Sequence, residues 1–130
     1  MMERNFLIRD AVAVVFDDEY FDLHNDFDFV EVRVFFGEKK VSFCFNRHDG
    51  EGVFFLNVLG VSHFSMSAIY SALGDRDVVE IGYKGPDDFD HDWLVSEEHS
   101  SLEDHLFIRL SGDDFIRVYG HSAKASMARD

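Results

Sequence analysis

One cysteine, one proline and a shortage of basic residues set the first limits on this chain. Cys44 has no second thiol, so an intramolecular disulfide is excluded, and so is a cysteine-based metal cluster. This usage suits a reducing compartment, and the expected location is cytoplasmic. Pro86 stands alone, so no stiff proline-rich linker divides the chain. Long apolar runs are also missing. The longest uncharged apolar piece near the start, Ala11 to Phe16, is too short for a signal-peptide core or a membrane span.

Basic residues are the largest shortfall: Lys and Arg number 12 against 26 Asp and Glu, a net charge of -14. A field of that sign repels nucleic acid and anionic membranes and attracts basic proteins. Neither nucleic acid nor membrane is therefore an expected partner. The same charge would keep a Phe-rich chain in solution, and salt-adapted organisms favour acidic surfaces too, so charge alone does not name a role.

Catalytic signatures are equally scarce. Neither G-x-G-x-x-G nor a Walker sequence is present, and there is no G-x-S-x-G elbow or HExxH. Cys44 lies between Phe43 and Phe45 in an acidic chain, the opposite of the electropositive setting that activates a thiol. The seven histidines include no pair spaced four apart. An EF-hand loop begun at Asp88 would place acids at its first, third and fifth positions. Trp93, however, stands where the sharp turn needs glycine, and His99 where a bidentate Glu belongs. No catalytic residue, metal or cofactor is expected, and the chain is not read as an enzyme.

What is present is core material and a strand pattern. A length of 130 residues fits one domain, and 46% of the residues are hydrophobic, with 15 Phe. Each buried ring removes roughly 150–250 Å² from water, so Phe packing should dominate stability. Apolar residues recur mostly with period two. Phe29 to Phe36 places Val30, Val32, Val34 and Phe36 on one face, opposite Glu31 and Arg33. Gly37 to Lys40 then turns the chain into Val41, Phe43 and Phe45, giving a β-hairpin. Val53 to Phe64 reads as a central strand with Gly60 marking a bulge, and Val78 to Lys84 as another strand. Leu106 to Leu110 and Phe115 to Tyr119 flank the turn residues Ser111 to Asp114, a second hairpin. Ser65 to Leu73 is the predicted short helix, with Ile69, Tyr70 and Leu73 at helical spacing and Gly74 to end it; a continued strand is the rival there. The tail from His121 lacks an apolar pattern and is expected to fray. The expected fold is α+β but predominantly antiparallel β. It has about seven strands in a sandwich or curled sheet, and one or two short helices.

Two segments mix carboxylates with rings. Asp17, Asp18, Glu19, Tyr20, Asp22 and Asp26 surround Phe21 and Phe27, with no Lys or Arg between Arg9 and Arg33. Asp87, Asp88, Asp90, Asp92 and Trp93 repeat the mixture around the single tryptophan. Rings supply desolvated anchors and carboxylates steer a basic partner, so these residues form the predicted partner-binding surface. Simple solvated loops are the plainer alternative.

The stretch Phe21-Asp22-Leu23-His24-Asn25-Asp26 ahead of the hairpin, together with Val58 to Phe64, resembles the immunity proteins of bacterial polymorphic-toxin and contact-dependent-inhibition systems. The resemblance implies a stoichiometric inhibitor that covers the active site of one cognate, basic toxin domain. It transfers no residue roles. The competing expectation is a self-associating structural or assembly β-domain, a homo-oligomer joined through an exposed strand edge.

Overall fold

The structure, a computed structural model, describes residues 1–67 and 77–129. Twelve strands among these residues form three sheets, so the chain is β-rich, as its period-two patterning predicts. The number exceeds the expected seven because short strands near the start, around turns and in the tail carry weak patterns.

The largest sheet joins β1 (Glu3–Arg4), β5 (Phe27–Phe35), β6 (Lys40–Arg47), β7 (Val53–Leu59) and β12 (Ser122–Ala128), in the order β1-β12-β7-β6-β5. All pairings are antiparallel except β1 with β12. A second sheet has β8 (His63–Met66), β9 (Val78–Lys84), β10 (His105–Leu110) and β11 (Phe115–Tyr119), in the order β8-β11-β10-β9. The third is a small meander of β2 (Leu7–Arg9), β3 (Ala13–Phe16) and β4 (Glu19–Asp22). All three face one apolar cluster. Phe43, Phe45, Phe54 and Leu56 come from the first sheet, Ile81, Leu106, Ile108 and Val118 from the second, and Val14 and Phe21 from the third. Rings pack on one another within it, Phe21 on Phe54 at 4.9 Å and Phe29 on Phe45 at 5.2 Å.

Both predicted hairpins form. In β5–β6 the facing differs from simple alternation, because the register shifts between Phe29 and Glu31. This bulge lets Phe27 and Phe29 enter the core while Val32 packs against it from the same side. Val30 is left exposed, and Phe36, expected on the core face, lies beyond the strand at 86% exposure.

The expected single strand from Val53 to Phe64 is two strands in different sheets. Gly60 adopts φ 63, and the chain leaves the first sheet there to enter the second at His63. Crossing it, Gly120 lies so close that a β-carbon would sit 2.6 Å from the Leu59 carbonyl oxygen. Of the expected helix, Ser65 and Met66 belong to β8, paired with Arg117 and Ile116, which favours the rival strand there. The remainder, from 68, lies outside the described residues. Helical structure among the described residues is confined to single 3₁₀ turns at Glu97–His99 and Ser111–Asp113.

The tail does not fray. β12 is an interior strand between β1 and β7, with Ala123 and Ala125 buried. Small side chains suit a position facing bulky Leu56 and Val58, and for that reason the inward residues show little apolar signal. The Asn5 side chain extends this seam, donating to the Ala125 carbonyl at 3.1 Å and accepting its N–H at 2.7 Å. No helix among the described residues is long and apolar enough to cross a membrane.

Candidate partner-docking surface

The second sheet presents its non-core face to a strap, residues 85–96, that connects β9 to the Glu97–His99 turn. Strand alternation places Lys84 of β9, His105, Phe107 and Arg109 of β10, and Phe115, Arg117 and Tyr119 of β11 on that face. Gly85 and Pro86 begin the strap, and the Asp88 N–H closes a turn on the Gly85 carbonyl at 3.0 Å. At the far end Tyr83 and Val95 exchange backbone bonds of 3.1 and 2.7 Å. Leu94 packs so tightly over Gly82 that a β-carbon there would stand 3.0 Å from that of Leu94.

Three cations hold the strap from beneath. Arg117, only 2% exposed, donates to the Asp88 carbonyl at 2.6 Å and to the Gly85 carbonyl at 2.9 Å. Its Nε donates to His105 Nδ1 at 2.9 Å. The fully buried Lys84 ammonium donates to the Trp93 carbonyl and pairs with the Asp88 carboxylate at 3.0 Å. Arg109 donates to the His91 carbonyl and pairs with Glu80 at 3.2 Å. The His91 ring lies 4.1 Å from Phe115 and 5.4 Å from Phe107. Most of these acceptors are backbone carbonyls, so the buried cations are satisfied without consuming most of the strap's carboxylates.

The outer side of the strap is consequently acidic and aromatic. Asp87, Asp90 and Asp92 are exposed, and among the described residues no Lys or Arg pairs with them. Phe89 is 75% and Trp93 79% exposed. The alternating acids have a local purpose as well. Asp90 N–H donates to the Asp88 carboxylate at 2.9 Å, and Asp92 N–H to that of Asp90 at 2.7 Å. The D-x-D-x-D spacing is thus a run of Asx turns. Among the described residues no three His, Cys, Asp or Glu side chains cluster as metal ligands. Asp88 is the member turned towards Lys84: its bond from Lys84, and then that from Asp90 N–H, lower its pKa.

The N-terminal acidic residues divide between two places. Asp17 and Asp18 form the exposed β3–β4 turn, both with left-handed φ (55 and 62). Glu19 turns away to Arg129 at 2.5 Å, with Arg47 at 3.8 Å. Asp22 is a turn-former, accepting the N–H groups of His24 and Asn25 at 3.0 and 2.9 Å. Burial raises its pKa, but these bonds and that from the Asn25 side chain outweigh it and leave the carboxyl lowered. Asp26 is exposed, while Phe21 and Phe27 are buried. Tyr20 donates to Asp10 at 2.8 Å, and that bond, more than burial, raises its pKa. Asp10 shares a small cavity with Leu94 and Glu80, and the Ala11 carbonyl accepts Ile81 N–H at 2.7 Å. The Asp10–Tyr20 pair therefore borders the strap, whereas Asp17 and Asp18 lie at the opposite end of β3.

No family model, curated protein or solved structure matches this chain.

Sequence reasoning gave Glu97 no role and placed Phe36 on a strand face. Glu97 accepts from Tyr83 at 2.6 Å, from Ile8 N–H at 2.8 Å and from Arg4 at 3.1 Å, tying the strap's end to all three sheets. Burial and the Glu97 bond push the Tyr83 hydroxyl's pKa up. Phe36 stands at a groove of ≈ 290 Å³ lined by Val34, Val41, Val61 and Phe64, with Lys39 and Lys40 on it. An aromatic immediately before the turn glycine was the available signal for Phe36; Glu97 had none.

Proposed function

We propose that the protein is a stoichiometric, non-catalytic inhibitor that docks a basic partner on the strap and covers that partner's working surface. The observation behind this reading is the strap's construction. Its backbone is anchored by Arg117, Lys84 and Arg109, while Phe89, Trp93 and the Asp87, Asp90 and Asp92 carboxylates face solvent. Anchoring before encounter lowers the ordering cost of binding, and exposed rings among carboxylates suit a cationic, partly apolar surface. Tyr20 and Asp10 border the strap and extend the same chemistry.

The net charge of -14 supplies the long-range attraction such a partner would feel. Association should exceed the ordinary range of about 10⁵–10⁷ M⁻¹s⁻¹ at low salt and slow as salt is added. A bacterial toxin domain is the partner class implied by the resemblance to immunity proteins. Co-purification from the native cell, with the wild type and with a Trp93→Ala, Asp90→Asn variant in parallel, tests the reading. A basic protein captured by the wild type and lost by the variant supports it. Equal capture by both, or an acidic partner, removes it.

A further inference from the structure

The groove beside Phe36 has the chemistry that the strap lacks. Val34, Val61 and Phe64 give it apolar walls, and Phe36 stands at it 86% exposed. Lys39 and Lys40 stand at it too, and among the described residues neither pairs with a carboxylate. Two adjacent cations with no carboxylate partner among the described residues, beside an apolar groove, are conspicuous in a chain with 26 acidic residues. The Lys40 ammonium lies 5.2 Å from the Phe35 ring centre, against an aromatic face instead of a carboxylate. A fitting occupant carries an exposed ring flanked by acids, and the segment Asp87 to Trp93 of this same chain is such an occupant.

We propose that the chain associates with copies of itself head to tail, the Asp87–Trp93 segment of one copy placing a ring in the Phe36 groove of the next and its carboxylates against Lys39 and Lys40. The two surfaces share no residue: the strap lies over β9–β11, and the groove lies between the β5–β6 turn and Val61 and Phe64 at the start of β8. A head-to-tail contact of this kind is heterologous, and each added copy leaves one free strap and one free groove, which builds rings or open chains. Like net charges oppose this at long range, so the contact is expected at an ionic strength near 0.15 M, where the Debye length is about 8 Å. The inference uses the same strap as the inhibitor reading but needs no foreign partner.

Sedimentation velocity of the purified full chain, across about three decades of concentration, reads the assembly directly. The wild type should pass from monomer to species larger than a dimer. Trp93→Ser with Phe89→Ser disables the strap, and Phe36→Ser with Lys40→Glu disables the groove. Each double variant alone should associate at least roughly tenfold more weakly. Mixed in equal amounts they should form a one-to-one dimer and nothing larger, since a single intact strap–groove pair remains. A wild type that stays monomeric throughout overturns the proposal, whatever the variants do. So does a mixture no heavier than its components, or variants that assemble as the wild type does. Partner capture from the cell is an independent readout, so either idea can fail while the other stands.

Discussion

Arg117 donates to the Asp88 carbonyl at 2.6 Å from below, so a buried cation of β11 fixes the backbone of a solvent-facing acidic loop. The same guanidinium holds the Gly85 carbonyl and His105 Nδ1. Charge and anchorage are thereby largely separated: the strap is tied mainly by its carbonyls, with the Asp88 carboxylate and the His91 ring turned inward, and leaves Asp87, Phe89, Asp90, Asp92 and Trp93 facing solvent. Arg117→Met leaves three acceptors, one buried and two partly buried, without that donor and should destabilise the fold by about 2–4 kcal/mol. Urea unfolding measures the loss, and amide exchange at residues 88–93 should accelerate in the folded state. Unchanged exchange there would mean that the strap is held by something else.

Acid should weaken the protein through His105. Burial, then the neighbouring Arg117 guanidinium, lowers its pKa to about 4, and His63, with its ring 4.8 Å away, is lowered by burial and the same cation. An unfolded chain binds protons at these rings near pH 6.5, before the folded one does. The stabilisation is therefore complete above about 6.5 and is lost as pH falls towards about 4, on the order of 3 kcal/mol for His105. Stability of His105→Gln, measured by urea unfolding between those limits, should fall less steeply with acid than that of the wild type. Parallel curves would show that His105 does not carry this dependence.

Residues 122–128 should be indispensable. A chain ending at Gly120 loses an interior strand and exposes the inner edges of β1 and β7. It should lose its cooperative thermal transition altogether. A truncated chain that melts like the full one would restore the frayed-tail expectation.

Gly120→Ala tests the crossing at Gly60. Its β-carbon would meet the Leu59 carbonyl oxygen at 2.6 Å, a backbone atom that cannot swing aside as a side chain can. Relief requires the strands to separate, and a loss of about 1–3 kcal/mol is expected in denaturant unfolding. A neutral effect would mean that the two strands give way freely.

Trp93→Ala should leave stability within about 0.5 kcal/mol of the wild type, because Lys84 holds the Trp93 carbonyl and the ring is 79% exposed. Affinity for the captured partner should fall at least roughly tenfold in calorimetric titration. A stability loss without an affinity loss would make the ring a packing element.

Much of the architecture was readable where strands alternate cleanly. Val41, Phe43 and Phe45 point inward as their spacing predicts, and Ser111 to Asp114 does turn β10 into β11. The failures have specific causes. Val30 differs from its expected facing because the bulge between Phe29 and Glu31 breaks the alternation there, and Phe36 because β5 ends at Phe35 and leaves it in the turn. β12 was overlooked because alanine contributes little to an apolar pattern, although small residues are what the crowded inner face accepts. Of the acidic residues singled out in the sequence, Asp87, Asp90 and Asp92 are exposed on the strap, whereas Asp88 and Asp22 are held in local bonding and Glu19 faces Arg129.

Composition and patterning alone determined a β-rich chain with a Phe core and a large negative charge, since both depend only on which residues are present and on a period of two. Tertiary structure decided where that charge acts. Arg117, Lys84 and Arg109 are distant in sequence from most of the carbonyls they hold, and only the pairing of β9, β10 and β11 sets them side by side beneath the strap. Alternation along one strand predicts a face; which loop covers that face is settled by contacts between residues far apart in the chain.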